Sequence, residues 1–285
     1  PPGQGCHKVF FTITFPDGRE VVKSIGPVSL EKFLLPPDFG ILGTSITTNA
    51  FRIRSTRPVT CYQFNPLENV GVFSNDASVL LPVPSFGTDY FIPALTNIGF
   101  PAYAVVIATE DDTRVTLYPT VATKASPDGR VPAIAAGGFQ QVTLAAGEVL
   151  SIEDNARGRD MSGTRIMATK PVAVFGGMQG AVTGEVCCAD HIEQQLLPTS
   201  RWGKRYIATR SFPRDAESDH WLVLASQPNT TVTVTPAITG APTLIQPSTP
   251  YRFTSREDFV IEGDKPFQLV QFLASSHEIM GPTSP

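Results

Sequence analysis

The strongest constraint on this chain is that its second half repeats its first. "FRIRSTRPVTCYQF" (51–64) lies over "TRIMATKPVAVFGG" (164–177), with Pro58 on Pro171. "SNDASVLLPVPSFGTDYFI" (74–92) lies over "CADHIEQQLLPTSRWGKRYIA" (188–208). That match sets Leu81-Pro82 on Leu197-Pro198, Phe86-Gly87 on Trp202-Gly203 and Tyr90 on Tyr206. "TRVTLYP" (113–119) then meets "TTVTVTP" (230–236). The order is kept and the offset drifts only from 113 to 117, as small loop insertions would make it. A third, partial copy follows in "DFVIEGDKPFQLVQF" (258–272), with Pro266 beside Pro171, while "KVFFTITF" (8–15) echoes "TRVTLYP". The repeat predicts a first unit over residues 1–119, a second over 120–236 and a partial third over 237–285. The partial copy completes the second unit, pairs with the first segment or pairs with sequence outside the chain.

The segments inside the repeat read as strands. Val9–Phe15, Ala104–Ala108, Val115–Tyr118, Val172–Phe175, Trp221–Ala225 and Val232–Thr235 are short, β-branched or aromatic, and bounded by turn residues. In "VTVTP" (232–236), Val232 and Val234 face one way and Thr233 and Thr235 the other, the pattern of a half-buried strand. With 26 prolines and 23 glycines, the chain is interrupted every few residues, which leaves little room for helices. "SLEKFLL" (29–35) and "IEQQLL" (192–197) are the weak helical signals, the second good for one turn before Pro198. The expected fold class is all-β, as tandem duplicated β-sandwich-like domains with few or no helices. The recurring proline fits the first position of a strand, because it has no N–H to give to a ladder centre.

Only 17% of residues are charged and the net charge is −4, with no Lys/Arg block, which speaks against nucleic acid as a partner. No apolar run reaches about 18 residues, the length needed for a membrane-spanning helix. No leader is visible at Pro1, so the chain reads as a mature form or part of something longer. Cys6, Cys61, Cys187 and Cys188 are an even set without C-x-x-C spacing, which suggests disulfides in an oxidising compartment, with three pairings open.

No catalytic constellation emerges: G-x-S-x-G, a Walker loop, a dinucleotide fingerprint and H-E-x-x-H are all missing. The densest cluster of functional groups is "GEVCCADHIEQQLLP" (184–198). On an extended strand His191, Glu193 and Gln195 share one face and Asp190, Ile192 and Gln194 the other. Asp190, His191 and Glu193 are therefore the candidate metal ligands, against the plainer reading of a hydrogen-bonded polar strand anchoring one unit to the next. No resident cofactor is expected. The acidic loops "TEDDT" (109–113) and "PRDAESDHW" (213–221) leave room for a structural Ca²⁺. Arg201, Trp202, Tyr206, His220 and Trp221 are the candidate binding residues; core packing is the competing reading for each of the five and the preferred one for the tryptophans.

At "SNDASVLLPVPSFGTDYFI" and "CCADHIEQQLLPTSRWGKRYIATRS" the chain resembles the IgGFc-binding protein N-terminal domain family, over roughly residues 50–280. The S-N-D-A-S segment, the D-H-x-E-x-Q-x-x-P segment and the repeated Leu-Pro…Gly…Tyr pattern carry the resemblance. "CADHIEQQLLP" makes it look like a bacterial-type member. The resemblance implies an extracellular, β-rich, non-catalytic module that binds a partner in mucus or at a cell surface. It supplies no catalytic residues. The expected function is therefore binding or adhesion toward a protein or glycoprotein: mucin-like, immunoglobulin-like or a cell-surface glycan. A structural spacer or filament subunit is the alternative. A glycan- or peptide-hydrolysing enzyme working through Asp190, His191 and Glu193 is the third reading.

Overall fold

The computed structural model describes residues 8–65, 74–184, 189–214 and 217–275. Its regular structure is β throughout, apart from three 3₁₀ turns at Pro37–Phe39, Val83–Ser85 and Thr199–Arg201. No helix among the described residues is long and apolar enough to cross a membrane. "IEQQLL" forms no helical turn: its first four residues close strand β13 (Asp190–Gln195), and 29–35 has no regular structure. Pairing with a neighbouring strand outweighs the weak local helix preference of so short a segment.

A long bent strand organises each half of the molecule. β12 (Arg165–Ala181) pairs through Arg165–Ala168 with β7 (Gly87–Phe91) and β9 (Thr113–Tyr118). Through Val172–Met178 it pairs with β8 (Ala102–Ala108), and from Phe175 onward with β13. β10 (Gln140–Leu144) extends the β9 side, and β11 (Val149–Glu153) with β3 (Ser45–Thr47) extends the β8 side. The two halves of β12 thus lie in two layers that face each other across one core, which contains Leu117, Val142 and Ile166 from one layer and Val106, Leu150 and Val174 from the other. Burial alternates with period two along β8, where Ala102, Ala104, Val106 and Ala108 point inward.

β19 (Phe259–Phe272) repeats this plan. Its first half pairs with β14 (Gly203–Ala208) and β16 (Thr230–Thr235), and its second with β15 (Asp219–Ala225). β17 (Leu244–Ile245) and β18 (Tyr251–Ser255) take the places of β10 and β11. A second core holds Trp221, Val223, Val232, Phe253, Phe259, Ile261 and Phe267. Of the recurring prolines, Pro171 and Pro266 stand inside these long strands rather than at strand starts, and Pro58 lies between β4 (Arg52–Ser55) and β5 (Cys61–Asn65). Pro171 and Pro266 fall where β12 and β19 leave one layer for the other, between the paired stretches, so the missing N–H breaks no ladder bond. At the N-terminus, β1 (Val9–Thr14) pairs with β2 (Glu20–Ile25) and β4 (Arg52–Ser55), and β5 (Cys61–Asn65) pairs with β6 (Asp76–Leu80). The first and last strands do not pair with each other.

Matching local chemistry recurs at the matched positions. Pro82 (φ −71°, ψ 152°) and Pro198 (φ −65°, ψ 157°) each start a 3₁₀ turn. The Gly87 amide donates to Tyr90 Oη (2.8 Å), which donates to the Val172 carbonyl (2.7 Å). The Gly203 amide donates to Tyr206 Oη (2.9 Å), which donates to the Phe267 carbonyl (2.6 Å). Asp112 and Asn229 occupy the same left-handed turn, with φ of 54° and 53°.

The two sandwiches meet through Phe91, Trp202, Leu222 and Leu224. Arg252 on β18 reaches across to Asp160 (2.7 Å), the Ala94 carbonyl (2.8 Å) and Ser162 Oγ (3.0 Å). Gly163 (φ +80°) lets the backbone of Ser248 approach, since a Cβ there would lie 2.7 Å from it.

Candidate functional site

The polar residues singled out in sequence converge where β5, β6, β8, β12 and β13 meet. Alternation along β13 turns His191, Glu193 and Gln195 toward the protein, with Glu193 and Gln195 buried and Asp190 exposed. Opposite them stand Ser74, Asp76 and Ser78, also two residues apart. Ser74 Oγ accepts the His191 amide (2.5 Å), Asp76 Oδ2 the Glu193 amide (2.6 Å) and Ser78 Oγ the Gln195 amide (2.8 Å). Gln195 Oε1 accepts the Leu81 amide in return (2.7 Å), and Gln63 Nε2 donates to Glu193 Oε1 (2.9 Å). Three short side chains thus do for β6 and β13 what backbone carbonyls do in a ladder, since an oxygen close to Cβ can reach a neighbouring amide. Each such bond is worth about 0.5–1.5 kcal/mol net, and leaving its buried donor unpaired costs about 1–3 kcal/mol.

Tyr103 on β8 closes the cluster. Its ring stacks on His191 (centroids 6.2 Å, 19°), its Oη lies 3.4 Å from His191 Nε2, and that nitrogen is 3.7 Å from Glu193 Oε2. Burial, reinforced by the Glu193 and Asp76 carboxylates, pushes the Tyr103 phenol far above its ordinary range, so it stays neutral. Burial also raises the Asp76 carboxyl against the amides of Glu193 and Ala77 and the nearby His191, with Glu193 adding to the rise. Tyr103 fits because Gly177 lies beneath it: a Cβ there would stand 2.4 Å from the Ile192 carbonyl and 2.5 Å from Tyr103 Oη. Sequence reading missed Gln63, Tyr103 and Gly177. The period-two spacing of Ser74, Asp76 and Ser78 was the signal for the side-chain ladder.

The candidate metal ligands are engaged separately. Asp190 Oδ1 accepts the amides of Asn75 (3.2 Å) and His191 (2.9 Å), while Glu193 takes Gln63. Among the described residues no group of three or more His, Cys, Asp or Glu side chains is arranged to hold a metal ion. In the acidic loops, Asp111 Oδ1 accepts the Ala146 amide (2.9 Å) and Asp219 Oδ2 the Ser211 amide (3.0 Å), both turn-holding bonds. Cys61 is a half-buried free thiol whose pKa burial raises, and Cys6, Cys187 and Cys188 lie outside the described residues.

The candidate binding residues separate into interior and surface. Trp202 is 8% exposed, packs on Phe91 (5.8 Å) and donates from Nε1 to the Leu197 carbonyl (3.1 Å). Trp221 is 5% exposed and meets Phe259 edge-on (5.0 Å). Tyr206 is half-buried against Phe267, where burial raises its phenol. Arg201 is exposed and reaches the Pro84 carbonyl at 3.5 Å. His220 and Trp221 border an open groove of about 780 Å³ that also touches Leu95, Arg252, Thr254 and Phe272; its described lining contains no carboxylate.

Fold and site together define a class: an all-β chain of sandwich-like layers joined by long bent strands, whose signature polar motifs lock one strand onto the next. The chain belongs to the IgGFc binding protein family, whose model matches residues 76–285. The human IgGFc-binding protein is 28% identical over 191 residues, covering 66% of this chain and 3% of that protein, so the chain spans a small fraction of this relative's length. No solved structure matches.

Proposed function

We propose that the chain is a non-catalytic binding module of a secreted or cell-surface protein, recognising a protein or glycoprotein partner. The observation that carries this reading is the fate of the polar cluster. Asp76, Glu193, Gln195 and Ser78 are committed to holding β13 in place, and Tyr103 covers His191. The exposed surface is then left to meet a partner. Arg201 and the exposed Phe212 (89%) and Leu273 (61%) are the contact residues we assign, in place of the interior tryptophans. Phe212 and Leu273 lie on segments tied together by Gln271 to Ser211 (3.1 Å) and Arg214 to the Ala274 carbonyl (3.1 Å). The name of the human relative makes the Fc part of immunoglobulin G the first ligand to test, with mucin-like glycoproteins and surface glycans next. The bacterial-type reading of "CADHIEQQLLP" belongs to the same proposal.

The test is interferometry on the immobilised chain with Fc, a mucin glycoprotein and a glycan array. Saturable binding that Phe212→Asp weakens supports the reading. Silence from every ligand overturns it, as does a hydrolase activity that His191→Ala abolishes.

The proposal includes tandem units in a particular phase. Units run over 76–181 and 190–272, and β1, β2, β4 and β5 belong to a further one while β3 adds to the sheet of 76–181, so the junctions fall at β6 and β13 rather than near 119 and 236. The start of the family match at Asp76, the first residue of β6, supports that phase. A structural spacer is the second reading, favoured by the long strands that each touch two layers.

A further inference from the structure

The layer made by β7, β12, β9 and β10 carries aromatic rings on its outer face that the sandwich plan does not require. Leu117, Val142 and Ile166 point into the core. Alternation therefore turns Thr116 and Tyr118 on β9, Gln141 on β10 and Arg165 on β12 outward. Phe91, Arg165 and Tyr118 stand in one row across the strands. Phe139 lengthens the row, with its ring 6.1 Å from that of Tyr118 and the two planes 31° apart. Phe91 is buried against Trp202, whereas Tyr118 is 41% and Phe139 69% exposed. Beside the open rings, Arg165 grips Asp89 through Nε to Oδ1 (2.7 Å) and Nη2 to Oδ2 (3.0 Å). Gln141 Nε2 donates to Thr116 Oγ1 (3.2 Å) in the next row, roughly 7 Å along the strands. In the second half of the chain the matching row is Ile207, Val260 and Thr235. The same kind of layer closes there with threonine in place of Tyr118 and valine in place of Arg165, so burial and pairing do not explain either residue.

We propose that this face is a glycan-binding platform and that its ligand is an uncharged oligosaccharide of pyranose sugars. A pyranose has an apolar face of C–H groups and a rim of hydroxyls. The apolar face matches the open rings of Tyr118 and Phe139. The rim matches Asp89, Arg165 and Gln141, planar groups that can exchange paired hydrogen bonds with neighbouring hydroxyls. Charge selects among ligands. Arg165 and Asp89 neutralise each other beside the rings, so this end of the face offers no net charge to a polyanion or an acidic peptide. The same ion pair holds both side chains in place before a ligand arrives, which lowers the ordering cost of binding. A flat face suits the middle of an extended sugar chain. The inference rests on the binding-module reading above, but it shares no residue with the Phe212 and Leu273 surface.

The test is titration calorimetry of the whole 285-residue chain with cellohexaose, chitohexaose and mannohexaose, with a sulfated hexaose as the charged comparison. At least one neutral hexaose is expected to bind. Phe139→Ala and Tyr118→Thr are each expected to weaken that binding by about tenfold. Tyr118→Thr introduces the residue type that stands at the matching position 235, and unchanged far-ultraviolet circular dichroism checks that the layer keeps its fold. Phe212→Asp is expected to leave sugar binding as it is. Silence from all three neutral hexaoses overturns the proposal, as does parental affinity in both ring variants or tighter binding of the sulfated sugar. An extended peptide that binds in place of sugar, and is lost with Phe139→Ala, gives the face to a strand on the β10 edge and overturns it too. Fc binding that persists when the sugars fail leaves the binding-module reading standing, so the two failures are told apart.

Discussion

Gly176 and Gly177 are neighbours on β12, yet a methyl group on each meets a different fate. A Cβ at Gly177 would lie 2.4 Å from the Ile192 carbonyl, 2.5 Å from Tyr103 Oη and 2.6 Å from Tyr103 Cζ. Optimal contacts are about 3.5–4.0 Å, so the overlap is roughly 1 Å. The carbonyl belongs to β13, which is held by the β12 ladder on one side and by Ser74, Asp76 and Ser78 on the other. It cannot retreat alone, and Tyr103 can move only by leaving His191. Overpacking of this kind costs about 1–3 kcal/mol, and the lost polar contact adds about 1 kcal/mol. Gly177→Ala is thus expected to destabilise by about 2–4 kcal/mol. At Gly176 the new Cβ would meet the ends of Ile92 and Leu196 at 3.3 Å, side chains that can yield. Removing a strand glycine returns about 0.5–1 kcal/mol, so Gly176→Ala should stay within about 1 kcal/mol of the parent. Urea denaturation followed by far-ultraviolet circular dichroism, compared at equal slope, reads the difference. Equal midpoints for the two variants would refute the placement of Tyr103 over Gly177, and with it the geometry of the cluster.

Tyr90→Phe and Tyr206→Phe should each cost about 1–3 kcal/mol in the same assay, because each strands a glycine amide and a carbonyl; a silent Tyr206→Phe would break the equivalence of the two sites. Trp202→Ala should cost about 3–5 kcal/mol if the indole is core, whereas a small loss of stability with a large loss of ligand binding would return it to the surface. Folding raises the pKa of Asp76, so the folded chain holds that proton more tightly than the unfolded chain. Its stability contribution is therefore complete below the ordinary carboxyl value of 3.8 and is lost as pH climbs through the raised one. Asp76→Asn should flatten the fall of the urea midpoint as pH rises above 3.8, and parallel curves for parent and variant would contradict the raised, half-buried carboxyl.

Much of the fold was legible because its signals are local. Short β-branched composition in "AVVIA" and alternation in "VTVT" (232–235) marked stretches of β8 and β16, and the sequence match set Pro82 with Pro198 and Tyr90 with Tyr206, which share local turns. The face assignment on β13 followed from the period of two alone. The tryptophans were harder to place. Trp202 and Trp221 stand in turn and strand sequences that look alike whether the ring points to solvent or to the other sandwich, and Phe91, Leu222 and Phe259 settle their burial. "IEQQLL" carries too few residues to announce whether it coils or extends, and the ladder with β12 settled it.

The sequence by itself determined an all-β chain, because strand period, turn residues and proline positions are properties of short segments. Tertiary structure alone decided that Pro171 and Pro266 stand where strands pass between layers, and that Ser74, Asp76 and Ser78 serve the amides of a strand more than a hundred residues away. It also decided that Gly177 is kept bare for Tyr103. Those outcomes depend on which distant backbone arrives opposite each residue, and no local pattern encodes the distance between two segments that meet only when the sheets close.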